Sequence, residues 1–482
     1  MQAPLLGPLR VTLDARTADL LVIGGGAAAF GAITRAHDLG ARVLMINDGL
    51  PLGGTCVNVG CIPTKFLLEA LKRYRLASRD ADTWLRTSAS LDFPKLMEAK
   101  DALVDGLRIR NYAEVLKALG NVTLVEDRAR FVGPHEVELV KSRERVRCDK
   151  IVIATGARTN VPDVPGLGDV PYWTHREALR AREVPESLLI WGAGPLAVEF
   201  AQIFARAGSR VALLARGPRI LRREEPEIAL ELQRHLEGEG IEVLTGVNVQ
   251  GFERAGDRTR VRFEREGRDG TREAEALLIA TGIRPNTDDL GLEQAGVQTD
   301  ERGFIVVDER QATAAEGVYA AGDVTGKKPL ETVAAKQGFN AAHNALTGEA
   351  RTIDYDLVPH AVFTDPQLAS VGWTEERAIR ERGGCLCRAL PLEEVPKAHA
   401  AGDLRGLVKL VADPESRRVL GAHAVAPNAA ELIHIPVLAL RAGMTLDDLI
   451  ETVHVFPTYA EAWKICAQTF DRDPKTMSCC VV

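Results

Sequence analysis

Two stretches of the chain share one alternation of apolar run, glycine turn and amphipathic helix. In residues 19–48, DLLVIGGGAAAFGAITRAHDLGARVLMIND, an apolar strand meets three glycines, then apolar positions recur at three- and four-residue spacing, then a second apolar strand follows over 42–46. Residues 187–216, SLLIWGAGPLAVEFAQIFARAGSRVALLAR, repeat the pattern. Each predicts a βαβ unit. In both, glycines stand where strand becomes helix, as Gly24-x-Gly26-x-x-Ala29 and Gly192-x-Gly194-x-x-Ala197. Glycines there let the backbone turn sharply and approach a pyrophosphate held at the helix N-terminus. A ligand-free glycine turn would explain one such match; two in one chain favour two dinucleotide sites.

The end of each second strand separates the cofactors. An acid there suits a ribose 2′-hydroxyl, and arginine suits a 2′-phosphate. The first unit ends in Asn47-Asp48; the second ends in Ala215-Arg216, with Arg219, Arg222 and Arg223 close behind. NADPH is therefore expected at the second site, with Arg216 and Arg222 as its phosphate ligands, against the plainer reading of solvated arginines. The expected partner of a nicotinamide in such a chain is FAD.

The 482 residues suffice for two to four domains, and 46% hydrophobic with 26% charged residues is ordinary globular composition. A net charge of −7 argues against a nucleic-acid protein. The most apolar run, 20–34, is short and glycine-rich, and the N-terminus lacks a charged-then-apolar leader pattern, so a cytoplasmic location without membrane insertion is expected. Eight cysteines are too sparse for a disulfide scaffold and point to redox or metal chemistry.

Two of them lie in Gly53-Gly54-Thr55-Cys56-Val57-Asn58-Val59-Gly60-Cys61-Ile62-Pro63-Thr64-Lys65, with four residues between. At the start of a helix the two thiols would be about one turn apart, close enough to join, and a helix N-terminus favours the thiolate. No second Cys/His pair follows at zinc-like spacing.

This segment resembles the active-site segment of the flavin-dependent pyridine nucleotide–disulfide oxidoreductases. Ile153-Ala154-Thr155-Gly156 and Ile279-Ala280-Thr281-Gly282 are similar to that family's two strand-ending turns, and Val318-Tyr319-Ala320-Ala321-Gly322-Asp323 to its second flavin motif. The resemblance implies that Cys56 exchanges with substrate and Cys61 lies against the flavin. It implies Lys65 near flavin N5, paired with Glu199. Ala29, Asn47, Gly49, Thr55, Ala129, Gly156, Asp323 and Glu331 then fall at FAD, and Gly282 at the crossing from the nicotinamide domain. Relatives carry Glu at the position of Asn47, which leaves either Asn47 or Asp48 to contact the ribose.

The C-terminus distinguishes the branches of the family. Thiol-disulfide reductases place a histidine before Pro-Thr, because a leaving thiolate needs a general acid. Here the run is His454-Val455-Phe456-Pro457-Thr458-Tyr459-Ala460-Glu461, with Phe456 in the acid's place. His454 keeps a dihydrolipoamide- or glutathione-type reductase as the alternative. The ending Met477-Ser478-Cys479-Cys480-Val481-Val482 instead offers paired soft thiolates and resembles the mercuric reductase branch. That branch implies NADPH-driven reduction of Hg(II) in a homodimer sharing its active sites. Cys56, Cys61, Cys479 and Cys480 would be the metal ligands, small-molecule thiols the carriers, and Tyr112 an active-site hydroxyl, with Tyr459 or Phe456 at the second tyrosine position. Cys148, Cys385, Cys387 and Cys466 match no motif and are expected to be structural, with Cys385-x-Cys387 a weak metal candidate. The expected architecture is α/β: an FAD domain over 1–157 and 284–350, an NADPH domain over 158–283, and a C-terminal α+β dimerisation domain over 351–482.

Overall fold

The computed structural model describes residues 18–78 and 86–473. By contact the chain divides into two compact units, and it crosses between them after Asn58, Val104, Arg158, Ile283 and Ile353.

The first unit carries the first glycine turn. β1 (Leu20–Ile23) and β2 (Val43–Ile46) pair in parallel, and α1 (Ala27–Asp38) connects them, so the expected βαβ unit is present with its second strand one residue shorter than predicted. The complete sheet is parallel and five-stranded, in the order Val318–Ala320, Ile151–Ile153, β1, β2, Val122–Val125. β1 and β2 are buried on both faces, which is why they read as unbroken apolar runs rather than alternating ones. One face is covered by α1 and the helix Glu331–Thr347. These two helices approach closely: a side chain at Gly338 would collide with the Ala28 carbonyl, and one at Gly31 with that of Ala335. A three-stranded antiparallel sheet of Ala129–Gly133, Glu136–Leu139 and Arg145–Arg147 completes the unit, with Ala129, Phe131 and Val137 in a second buried cluster.

The second unit repeats the device. A four-stranded parallel sheet runs Glu242–Leu244, Arg210–Leu214, Ser187–Trp191, Ala276–Ile279, and the helix Pro195–Ala207 bridges the second glycine turn to the next strand. The same unit holds the helix α3 (Cys61–Ser78) and a five-stranded antiparallel sheet. That sheet runs in the order His360–Val362, Gln367–Gly372, Val419–Ala426, Leu407–Ala412, Leu386–Pro391. Its core contains Trp463 and Cys466 from the helix Glu461–Gln468. The parallel sheets with bridging helices and the mixed C-terminal sheet and helices are the α/β architecture expected from the sequence. Among the described residues, no helix is long and apolar enough to cross a membrane.

Candidate active site

The two glycine turns are built alike, atom for atom. Gly24 has φ +133° and Gly192 has φ +136°. The Gly24 N–H donates to the Ile46 carbonyl at 2.8 Å, and the Gly192 N–H to the Leu214 carbonyl at 3.1 Å. Ala154 N–H donates to Ile23 O and Ala280 N–H to Trp191 O, both at 2.8 Å, which brings each Ala-Thr-Gly segment onto a glycine turn. A Cβ at Gly24 would strike Ala154 O, and one at Gly192 would strike Ala280 O. Positive φ and a carbonyl at contact together demand glycine.

α1 begins after Gly26 and the helix Pro195–Ala207 after Gly194, neither with a side-chain cap nor with an acid in its first turn. Their first N–H groups are therefore available to an anion. Around Gly194 a Cβ would meet nothing within 4 Å, so that turn faces open space. Asp323, in the turn Asp323–Thr325, has no side-chain hydrogen-bond partner among the described residues, and desolvation pushes its carboxyl above the usual carboxylate range. A polyol hydroxyl would satisfy it. A dinucleotide with a polyol chain fits the first turn, and a second dinucleotide fits the other.

At the end of β2, the Asn47 side chain lies against Gly25, where a Cβ would meet its amide oxygen, and its amide nitrogen donates to Leu50 O at 3.1 Å. Asp48 is exposed and paired with Lys141 at 2.8 Å. Of the two candidates, Asn47 is the one beside the glycine turn. Gly49 has φ +91° with open space around it, and Glu331 opens its helix. Ala129 is buried at the start of its antiparallel strand, paired with Leu139. Ala29 is buried in α1.

Near the second turn, Leu221 N–H donates to Ala193 O at 2.8 Å, which folds the arginine-rich loop back onto the turn. Arg219 is occupied internally, donating to Arg222 O at 3.1 Å and Glu224 O at 3.3 Å. Arg216 and Arg222 are exposed. Ala197 is fully buried in its helix. Gly156 and Gly282, at φ +70° and +116°, follow the two Ala-Thr pairs; Asn286 Nδ2 donates to Thr155 O at 2.9 Å, and Asn160 N–H to Gly282 O at 2.9 Å.

In the first unit, α2 (Gly54–Val59) carries Thr55 and then Cys56 as its third residue, and the Cys56 side chain is half-buried. Tyr112 lies in a π-helical turn, Ile109–Ala113, packed edge-on against Phe30 with ring centroids 4.8 Å apart. A Cβ at Gly53 would come within 2.9 Å of the Tyr112 ring, so Tyr112 borders the turn that leads into Cys56. Such π-turns recur at functional sites.

In the second unit, Cys61 opens α3 and is half-buried. One turn later, Lys65 Nζ donates to both oxygens of Glu199, at 3.0 and 2.9 Å. Glu199 is 4% exposed and also accepts from the Phe363 N–H at 2.9 Å, while the Lys65 ammonium stands 4.7 Å from the centre of the Phe363 ring. Phe363 was not expected to hold this pair. Its backbone donor has no sequence signature. Asp365, two residues on, accepts from Arg206 and Arg405, and those cations hold its carboxyl below the usual range against the cost of burial.

At the C-terminal run, Phe456 is 55% exposed. His454 Nδ1 is bonded to the Thr452 carbonyl, two residues back, at 2.9 Å, and Glu461 accepts from the Thr458 N–H at 3.3 Å. The Tyr459 hydroxyl donates to Asp403 O at 3.4 Å. Cys148 and Cys466 are buried, as expected of structural cysteines, and burial pushes the Cys466 thiol up to about 12. Cys385 and Cys387 are joined as a disulfide. Cys479 and Cys480 lie outside the described residues.

Residues 18–347 match the family described as pyridine nucleotide-disulphide oxidoreductase, and residues 358–467 match its dimerisation domain. The chain is 41% identical to a mercuric reductase of Streptomyces lividans over 470 residues, covering 96% of this chain and 98% of that one. It is 37% identical to a mercuric reductase of Staphylococcus aureus, over 96% of this chain and 84% of the other. Among solved structures, it is similar to the Cu(II) complex of the HOCl-induced flavoprotein disulfide reductase RclA from Escherichia coli, with a TM-score of 0.84 and 30% identity over 94% of this chain and 99% of that one. With both glycine turns, the cysteine segment and the C-terminal sheet falling within these matches, the chain belongs to the pyridine nucleotide-disulphide oxidoreductase family.

Proposed function

We propose that this protein uses NADPH to reduce Hg(II) to elemental mercury: NADPH + Hg(II) gives NADP+, H+ and Hg(0). FAD, bound at the first glycine turn, would supply the two-electron relay from nicotinamide to thiols. Gly24, Gly26, Ala29, Asn47, Gly49, Thr55, Ala129, Gly156, Asp323 and Glu331 would hold it. Gly192, Gly194, Ala197 and Gly282 would hold NADPH, with Arg216 and Arg222 taking the 2′-phosphate.

Cys56 and Cys61 would bind Hg(II) as soft thiolates, and Tyr112, beside the turn into Cys56, would bear on the same ion. Lys65 keeps a fixed cation one turn beyond Cys61, its position set by Glu199 and the Phe363 N–H, where it favours the thiolate. Cys479 and Cys480 of the partner subunit would capture Hg(II) and pass it inward by ligand exchange between thiolates. The domains would run 1–157 with 284–350, 158–283 and 351–482, in a cytoplasmic homodimer that takes its metal from small-molecule thiols.

The observation that carries this reading is Phe456 at the position where thiol-disulfide reductases place their acid, with the neighbouring polar groups turned to other partners. The ring is a hydrocarbon, the His454 imidazole is bonded through Nδ1 to the Thr452 carbonyl, and Glu461 is tied to the turn before its own helix. Disulfide reduction needs a protonated leaving thiol, whereas a metal ion leaving two thiolates as the neutral element needs none. The test follows NADPH oxidation by the flavin-loaded protein with Hg(II) in excess thiol, and in parallel with lipoamide and with glutathione disulfide. Turnover with Hg(II) is expected; turnover with the disulfides alone would sink the reading.

A further inference from the structure

We propose a second metal site, formed by the thiolates of Cys385 and Cys387 with the carboxylate of Glu375, which takes one thiophilic divalent cation and is closed when the two sulfurs join. It uses none of the thiols assigned to the reaction above.

The ligand atoms of the three residues lie within 4.8 Å of one another, and all three side chains are partly accessible. A tetrahedral ion with sulfur ligands at about 2.3 Å needs its donors about 3.8 Å apart, a separation the two sulfurs reach once their bond is broken, with the carboxylate already within 4.8 Å of both. The two cysteines stand two residues apart at the start of Leu386–Pro391, the outermost strand of the C-terminal sheet, and that spacing turns both side chains to one face. Glu375 is fixed from two directions. Its N–H donates to Glu225 at 3.0 Å, and its carboxylate accepts from Lys409 Nζ at 2.6 Å. Lys409 also bonds Glu225 at 2.8 Å and Glu227 at 3.3 Å, so three carboxylates face one ammonium and the cluster keeps negative charge for a cation.

The sulfurs are joined in this structure, so the site opens by reduction. A small-molecule thiol provides the electrons: protein disulfide plus two R–SH gives two protein thiols and R–S–S–R. The cation then displaces two protons, one from each thiol, as both sulfurs become ligands. Room for the change exists, because added side chains at Gly383 and Gly384, immediately before Cys385, would meet nothing within 4 Å.

Cadmium(II) is the probe, in the full-length, flavin-loaded chain carrying Cys56→Ser, Cys61→Ser, Cys479→Ser and Cys480→Ser. After reduction by a phosphine, equilibrium dialysis should find one equivalent of Cd(II) with a thiolate-to-metal charge-transfer band. Adding Cys385→Ser and Cys387→Ser should remove that equivalent, and oxidation to the disulfide should do the same. Glu375→Gln should weaken binding at least about tenfold, the loss that even an outer-shell partner typically causes. Unchanged stoichiometry without the two cysteines, or binding with the disulfide intact, would overturn the site; unchanged affinity in Glu375→Gln would overturn the carboxylate ligand. Should the multiple variant not fold, alkylation of Cys385 and Cys387 in the reduced parent chain decides the matter. Protection by Cd(II) supports the site, and equal labelling with and without the ion overturns it.

Discussion

Glu199 serves two donors that approach from different segments, Lys65 from α3 and the Phe363 N–H from the turn before Gln367–Gly372. A Glu199→Gln variant keeps an acceptor for Phe363 but leaves Lys65 without a counter-charge. Because the Lys65 side chain is 30% exposed, water recovers part of the loss, and the expected destabilisation is about 1–3 kcal/mol by denaturant unfolding. Its reductive half-reaction should slow more than its unfolding midpoint shifts, since the position of the cation changes as well as its cost. His175 provides a pH signature at the same scale. Burial drives its pKa down from 6.5 to about 4, with Arg176 adding to the shift. The unfolded chain therefore binds the proton first as pH falls, and stability that is full above pH 6.5 declines toward pH 4. Removing this contribution in His175→Gln should flatten the stability profile in that window by roughly 2–4 kcal/mol relative to the parent. Equal slopes for the two chains would show that the imidazole is not desolvated.

At the scale of elements, α1 and Glu331–Thr347 are held together by a missing side chain. Alanine normally favours a helix over glycine by about 1 kcal/mol, yet Gly338→Ala would put a methyl group into the Ala28 carbonyl. Overpacking should win, with a net loss of about 1–3 kcal/mol and weaker flavin retention during gel filtration. The sequence disclosed this level unevenly. Both βαβ units were legible because their glycines, apolar runs and helical spacing are all local. Lys65 and Glu199 are 134 residues apart, so no periodicity joins them, and the family resemblance supplied the pairing. The backbone donor at Phe363 and the π-turn around Tyr112 had no local signal at all. Cys385-x-Cys387 was visible as a spacing, but Glu375 becomes its neighbour only when a helix and an edge strand are folded together.

On the scale of the whole molecule, the C-terminal unit leaves apolar side chains uncovered in one short run: Val453 is 89% exposed, Val455 76% and Phe456 55%. The run lies within residues 358–467, which match a dimerisation domain, and is expected to face a second copy. Val453→Asp with Val455→Asp should shift the sedimentation coefficient from dimer to monomer and depress activity at low protein concentration. A sedimentation profile identical to the parent's would place the interface elsewhere.

The order of strands in the first parallel sheet also bears on how the chain is made. Its edge strand, Val318–Ala320, pairs with Ile151–Ile153, yet everything from Thr159 to Ile283 belongs to the other unit. During synthesis at about 5–20 residues per second, the ribosome needs roughly 8–33 s to travel from Ile153 to Val318. Throughout that interval the nascent sheet has an open apolar flank at Ile151–Ile153, and the inserted segment must emerge before the flank can be sealed. The interval is a window in which a chaperone that shields strand edges would act, and slowing translation within residues 159–283 would lengthen it.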